Sequence, residues 1–200
     1  MSPRPDVSEE RKSQIIQAAI RVFAREGVKE ARMDDVAQES GLSKGLLYWY
    51  FKSKDDIIIA IAGHLFDAEF EKFKDLSWEG RSACACLEEF FEMFIDDLRG
   101  MLKIAPVIYE FYALAFRSQT IRKIMQAYLA RFIAMLSPIL EYGIQRGEFT
   151  PADTKQIALV IGSALEGTLL LWGYAPDLFD PETQLQAAMQ VMLNGLLSQS

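Results

Sequence analysis

Apolar residues recur at intervals of three and four along almost the whole chain. In the first such segment they include Ile15, Ala19, Ile20 and Phe23, a spacing that puts them on one face of a helix. We find no strand-like alternation of any length and no internal repeat. The sequence therefore predicts an all-α protein of about nine helices. They are expected over residues 8–26, 44–51, 53–74, 82–100, 104–116, 119–146, 152–173 and 182–197, with one more short helix ahead of Gly41.

Residues 33–54, MDDVAQESGLSKGLLYWYFKSK, predict two short helices joined by a tight turn. Ala37 is small enough for two helices to cross closely, and Gly41 suits a left-handed helix stop. Ser43 can cap the next helix, while Val36 and Leu47 pack inward. This layout is typical of a helix-turn-helix, although two surface helices of a bundle would give a similar pattern.

The second helix of this pair, residues 44–51, carries the groups expected to contact DNA. Lys44 can donate to guanine, Gly45 lets the backbone approach the groove, and Leu46 can meet a thymine methyl. Tyrosine hydroxyls and a lysine ammonium are suited to phosphate, and Trp49 either stacks on the backbone or covers the hinge to the next helix. The candidate DNA-binding residues are Ser43, Lys44, Gly45, Leu46, Tyr48, Trp49, Tyr50 and Lys54. Lys52 is expected to be solvated surface.

The region from Ile15 to Ile57 resembles the N-terminal domain of the TetR family of transcriptional repressors. The matching positions are Ala18, Ala19, Phe23, Gly27, Val36, Ala37, Gly41, Leu42, Ser43, Gly45, Leu47, Tyr48, Tyr50, Phe51 and Lys54. The chain departs from the family at Ala31, where a threonine usually caps the second helix. We expect Asp34 or water to take over that cap.

The resemblance implies a domain organisation and a function. Residues 1–53 would form the helix-turn-helix DNA-binding domain, and residues 54–200 a helical effector-binding and dimerisation domain. The chain would be a ligand-responsive repressor that binds a palindromic operator as a homodimer, with half-sites roughly 34 Å or a multiple of it apart. A helical protein-interaction adaptor that does not bind DNA is the alternative. An enzyme is disfavoured, because the sequence has no phosphate loop, HExxH pair or nucleophile elbow.

Charge is distributed unevenly between these two parts. Residues 1–54 hold ten Lys/Arg and eight Asp/Glu, a net charge of +2, whereas residues 55–200 hold eleven and twenty, a net of −9. A locally basic head can approach phosphate while the acidic remainder is repelled by it.

Residues 87–135 are rich in aromatic and methionine side chains, which form adaptable apolar pockets or, equally by pattern, a tightly packed core. The resemblance favours a pocket for a small apolar or amphiphilic effector. Glu110 lies in apolar company and would pair with an arginine such as Arg117 or meet a cationic or hydroxylated effector. The candidate pocket residues are His64, Phe90, Phe94, Tyr109, Glu110, Tyr112, Phe116, Tyr128, Phe132 and Glu166.

The last two predicted helices are apolar on much of their circumference, which favours a dimer interface over an internal core. Family resemblance implies a four-helix bundle formed by two copies of this pair. The candidate interface residues are Ile161, Ala164, Leu165, Thr168, Leu185, Met189, Met192 and Leu196.

Location and cofactors follow from what else the sequence contains. Cys84 and Cys86 are expected to pack as small apolar groups in a reducing cytoplasm. We expect no metal and no cofactor, since His64 is the only histidine. No uncharged apolar run of about 18 residues and no signal peptide are visible, so we predict a cytoplasmic protein without a membrane span.

Overall fold

The computed structural model describes residues 5–73 and 80–197, and it confirms the all-α prediction for them. The nine helices within these ranges are α1 (Pro5–Glu26), α2 (Met33–Ser40), α3 (Lys44–Tyr50), α4 (Lys54–Phe73), α5 (Ala83–Lys103), α6 (Ala105–Ala115), α7 (Gln119–Gln145), α8 (Thr154–Tyr174) and α9 (Pro181–Leu196). One isolated antiparallel bridge joins Phe149 to Leu197. The predicted end of the fourth helix at Lys74 lies outside the described residues.

Capping residues explain where several helices begin. The Asp180 side chain accepts from the Thr183 amide at 2.8 Å, and Pro181 opens α9. The helix predicted from residue 152 begins instead at Thr154. Asp153 caps it by accepting from the Lys155 amide at 2.9 Å, so the first turn lies after Pro151. Pro138 lies inside the continuous helix α7, which it does not split.

The chain divides into two compact units, and the first comprises residues 1–71 together with 103–124. Within it, α1 packs against α2 and against α6, and α2 packs against α3. The Phe111 ring on α6 lies 6.4 Å from the Phe66 ring on α4. Packing therefore groups α6 with the N-terminal helices, although α6 is distant in sequence. The predicted domain boundary between residues 53 and 54 stays a prediction.

The second unit comprises residues 72–102 and 125–200. Its core contains Phe90 and Phe132, whose ring centroids are 6.0 Å apart, and α8 packs against α9. Gly143 lies so close to Phe149 and Ala83 that a methyl group there would overlap both side chains. This close approach requires glycine.

Glu148, in the loop between α7 and α8, caps α5. Its Oε2 atom accepts from the Ser82 hydroxyl at 2.8 Å and from the Ala83 amide at 2.7 Å. Burial opposes ionisation of this carboxyl, but hydrogen bonds from Ser82, Cys84, Arg146 and Ala83 outweigh it and hold the Glu148 pKa below its ordinary value. A residue 65 positions away thus satisfies the first amides of α5.

The cysteines, the possible metal ligands and the longest apolar helices are each expected to have no special role. Cys86 is buried and Cys84 half-buried, and burial raises the pKa of both thiols. The described part of the chain has no group of three or more His, Cys, Asp or Glu side chains placed to hold a metal. By length and composition alone, α7 and α8 are apolar enough to cross a membrane. This is weak evidence for a membrane span, because buried core helices meet the same criterion.

Candidate nucleic-acid interface

The turn between α2 and α3 forms as the sequence predicts. Gly41 adopts a left-handed φ of 68°, and the Leu42 amide donates to the Ala37 carbonyl at 3.3 Å, which closes the end of α2. The Ser43 hydroxyl accepts from the Leu46 amide at 3.3 Å and caps α3. Leu47 is fully buried. These local interactions fix the recognition helix α3 on the positioning helix α2.

The start of α2 differs from the prediction. The cap falls at Arg32, whose amide donates to Asp35 Oδ2 at 2.8 Å, while Ala31 is buried beside it. The predicted substitute at Asp34 is therefore wrong by one residue, and Asp34 is available for another contact.

The leading end of α3 is open to solvent. Ser43, Lys44 and Gly45 are exposed, Leu46 is half-buried, and the side chains of Tyr48 and Trp49 are 37% and 52% exposed. Phe51 is buried. Most candidate DNA-binding residues thus lie on an accessible face.

Lys44 is held by an ion pair across the turn. Its Nζ atom lies 2.8 Å from Asp34 Oδ1 and 2.9 Å from Asp34 Oδ2. The hydrogen bond to Asp34 and its negative charge raise the Lys44 pKa, so the ammonium is charged at any physiological pH.

Tyr50 does not have the contact predicted for it. Its hydroxyl is buried and has no hydrogen-bond partner among the described residues, while its ring meets the Trp49 ring edge-on at 4.6 Å. The hydroxyl cannot reach phosphate from this position, because Tyr50 follows Leu47 by three residues and shares its inward side. Tyr48 and Trp49 remain the accessible aromatic groups of α3.

Lys54 also has a different role from the predicted phosphate contact. Its ammonium donates to the carbonyls of Val28, Lys29 and Ala31 at 2.7, 2.9 and 3.1 Å. An ammonium has three N–H groups, so all of them are used within the protein. Lys54 therefore holds the loop between α1 and α2 against the first turn of α4.

Lys52 is exposed, as predicted, and it has a structural role that the sequence did not reveal. Its Nζ atom donates to the Tyr48 carbonyl at 2.8 Å and to the Trp49 carbonyl at 3.3 Å, which satisfies the C-terminal end of α3. Ser53 and Asp56 form a capping box at the start of α4, with Asp56 accepting from the Ser53 amide at 3.1 Å. Lysine at a helix end is common on ordinary surfaces, so sequence alone gave no signal.

The candidate pocket residues fall into both units. Phe90, Phe94 and Phe132 are buried in the core of the second unit, where Tyr128 and Glu166 are half-buried. In the first unit Tyr109 and Tyr112 are half-buried, and burial raises the Tyr109 pKa. Phe116 is 83% exposed at the end of α6, so the prediction that it lines an enclosed pocket is wrong.

Two polar pocket candidates have partners inside the first unit. Glu110 lies 4.0 Å from Arg117, which agrees with the ion-pair alternative. His64 Nε2 lies 2.9 Å from Gln17 Nε2 on α1. One described groove of about 420 Å³ opens elsewhere, between α5 and α9. It is lined by Glu92, Ile95, Asp96, Glu182, Gln186, Met189 and Gln190 and is polar rather than the expected apolar site.

The candidate interface residues on α8 and α9 lie mainly inside the subunit. Five of them are buried in the single chain, namely Ile161, Leu165, Thr168, Leu185 and Leu196. Ala164, Met189 and Met192 are half-buried. The Thr168 hydroxyl donates to the Ala164 carbonyl at 2.8 Å. Because these five residues are buried within the single chain, they present little surface to a second copy.

A different apolar stripe remains exposed on the same two helices. Val160, Leu170, Leu171 and Tyr174 on α8 are 57%, 51%, 45% and 70% exposed, and Val191 on α9 is 72% exposed. Small residues accompany them, namely Ser163, Gly167, Ala187 and Gly195. We call these nine residues the outer face.

A capped helix-turn-helix with an exposed lysine and aromatics on its second helix defines a DNA-binding protein, and comparison with known proteins specifies the family. The family model "Bacterial regulatory proteins, tetR family" matches residues 15–61. The model "BetI-type transcriptional repressor, C-terminal" matches residues 85–197, more than half of the chain. The chain therefore belongs to the TetR family of transcriptional regulators, which bind DNA through a helix-turn-helix.

Individual relatives agree with this assignment. An uncharacterized HTH-type transcriptional regulator of Bacillus subtilis, YfiR, is 32% identical over 156 residues, which cover 76% of each chain. A TetR transcription regulator from Haloarcula marismortui has a TM-score of 0.84 at 18% identity, covering 95% of this chain and 100% of the other. The regulator FadR from Bacillus subtilis, solved in complex with stearoyl-CoA, has a TM-score of 0.74 at 24% identity, covering 92% and 98%.

Proposed function

We propose that this regulator is a repressor that binds a palindromic operator as a homodimer and leaves it when a small apolar or amphiphilic effector binds. The observation that carries the proposal is the accessible leading end of α3, fixed by the Ser43 cap and the Gly41 turn. We further propose that it acts in the cytoplasm without contacting a membrane.

Contacts of the head with DNA follow from exposure. The exposure of these residues supports contacts in which Lys44 reaches base edges, Gly45 allows close backbone approach, and Tyr48 and Trp49 reach the sugar-phosphate backbone. Tyr50 and Lys54 support this surface from within. A single head of this size reads few base pairs, so tight binding needs a second one.

The outer face supports a second copy of the chain as the dimer partner. Exposed large apolar side chains on two adjacent helices leave apolar surface in water, which is unfavourable for a monomer. Small residues such as Gly167 and Gly195 let helices approach closely. Two copies of α8 and α9 would bury this surface as a four-helix bundle.

The first unit supports communication between effector and head. Since α6 packs on α1, and Phe111 of α6 lies beside Phe66 of α4, a displacement of α6 would act directly on helices that hold the reading surface. The effector must bind the two states with different affinity, typically worth about 1–3 kcal/mol. The stearoyl-CoA complex of FadR makes long-chain acyl thioesters the first amphiphiles to test.

The experiment selects duplexes from a random pool with the full chain and measures their binding by fluorescence anisotropy. We expect a palindromic sequence, a protein stoichiometry of two per site, and a steep salt dependence. Stearoyl-CoA, the free fatty acid, CoA alone and a panel of aromatic amphiphiles are then titrated into the complex. Selection of no sequence would overturn the function, whereas selection without release by any compound would overturn only effector control.

The adaptor alternative loses its support once the family is established, because the family comprises DNA-binding regulators. Repression is separated from activation by a reporter promoter carrying the selected sequence. Lower expression with the protein present, restored by the effector, is the result that our proposal requires.

A further inference from the structure

Lys44 and Asp34 form a charge pair within the reading surface itself. Lys44 lies in the first turn of α3 and Asp34 in the first turn of α2, and both side chains are largely exposed, at 62% and 60%. The ammonium contacts both carboxylate oxygens, at 2.8 and 2.9 Å. The residue best placed to read a base is thus neutralised by a carboxylate on the neighbouring helix.

Asp34 is free to serve this purpose because its neighbour takes the capping role. Asp35 accepts from the Arg32 amide at 2.8 Å and begins α2. Asp34 has no such backbone bond among the described residues, and both of its carboxylate oxygens contact Lys44. A first-turn acid interacts favourably with the helix dipole, but that needs no lysine partner.

The pair has different consequences for random and for specific DNA. Non-specific binding depends on cations that neutralise phosphates, and a paired lysine brings no net charge to the backbone. Specific binding depends on base edges in the major groove, where guanine presents the O6 and N7 acceptors. The Lys44 ammonium has three N–H groups. When two of them donate to Asp34, the third can donate to such an acceptor while the ion pair persists.

We propose that Asp34 is a specificity-determining residue that masks Lys44 from non-specific duplexes and orients it toward an acceptor on a base. This inference rests on the proposed operator binding and adds the residue that sets its selectivity. Asp34 therefore lowers affinity for random DNA more than it lowers affinity for the operator.

The test compares Asp34→Asn with the wild type on the duplex that the wild type selects and on a scrambled duplex of the same composition. We expect affinity for the scrambled duplex to rise about 10-fold at low salt, with a salt slope steeper by about one, as for one added phosphate contact. Affinity for the selected duplex should rise only about 2-fold, so the ratio of the two affinities falls roughly 5-fold by the same reasoning.

Three further variants separate masking from other effects. In a Lys44→Ala background, Asp34→Asn should change affinity for the scrambled duplex by less than about 2-fold, since there is no lysine left to unmask. Asp34→Glu keeps the charge and should retain the wild-type ratio. Glu10→Gln removes an equal charge from the exposed start of α1 and controls for net charge.

Each outcome decides for or against the inference. If Asp34→Asn raises affinity for the scrambled duplex by the full amount in the Lys44→Ala background, Asp34 repels phosphate directly and the inference is overturned. An equal rise in affinity for Glu10→Gln would also overturn it. An unchanged affinity ratio in Asp34→Asn, with palindrome selection intact, overturns it while the proposed function stands. If the wild type selects no sequence, both fall together. Thermal melts of each variant confirm that the fold is retained.

Discussion

The N-terminal head and the C-terminal helices α8 and α9 are both helical hairpins with apolar positions at helical spacing, yet their sequences differ in how much they reveal. In the head, Gly41, Ser43 and Leu47 each have a local role that fixes both the turn and the orientation of α3. In α8 and α9, apolar residues surround much of the circumference, and only scattered polar residues such as Ser163 and Gln190 lie on the outward side.

The difference lies in how rotation about a helix axis is encoded. A cap or a left-handed glycine specifies one residue and therefore one orientation. An apolar stripe specifies orientation only when the opposite side is polar. For α8 the sequence favoured the side of Ile161, Leu165 and Thr168 as the interface, and the structure buries that side within the subunit.

Disrupting the outer face should produce the largest effect. Leu170→Arg combined with Val191→Arg places cations on the exposed apolar surface, and we expect monomers by light scattering and a fall in operator affinity of about 100-fold or more. Leu129→Arg, at a 38% exposed position on α7, is the matched control and should remain dimeric. A dimeric double variant would show that α8 and α9 do not form the interface.

Truncating the inward side of α8 should instead reduce stability. Leu165 is 2% exposed, and Leu165→Ala should lower the free energy of unfolding by about 2–5 kcal/mol because it leaves a cavity. Urea denaturation, at a protein concentration well above the dissociation constant of the dimer, measures this loss. Leu165→Ala should leave the folded protein dimeric at that concentration, and a folded monomer would restore the interface first predicted from sequence.

Lys54 tests the assignment within the head. Lys54→Met leaves the carbonyls of Val28, Lys29 and Ala31 without their charged donor and should cost about 1.5–3 kcal/mol of stability. The salt slope of DNA binding should be unchanged, because this ammonium does not neutralise phosphate. A slope lower by about one would instead return Lys54 to the phosphate contact. Lys29→Met, at an exposed position nearby, controls for the lost charge.

The Glu148 cap should give the smallest effect, and one that depends on pH. Its folded pKa is lowered, so the stability from its ionised form is present above the ordinary pKa of 4.5 and is lost as pH falls through the folded value. At neutral pH, Glu148→Gln should cost about 1 kcal/mol, as other cap substitutions do. Thermal melts of both proteins should converge in acid, and a constant difference down to acidic pH would contradict the assignment.

Sequence predicted the interactions that are local and missed those that are not. The Ser43 cap joins residues three apart, and the predicted helix follows from it. Lys54 reaches carbonyls 23 to 26 residues away, and Glu148 caps a helix 65 residues upstream. The buried Tyr50 hydroxyl illustrates the same limit, because the residue type suits phosphate while the fold turns it inward.

The packing of α6 on α1 has a practical consequence for anyone who builds chimeric sensors from this regulator. A chimera joined at residue 53 would contain the helix-turn-helix but lack α6, which packs against α1. The apolar side chains of α1 that α6 covers would then be exposed. Residues 1–71 and 103–124 should therefore be exchanged together, so that α6 continues to pack against α1 in the chimera.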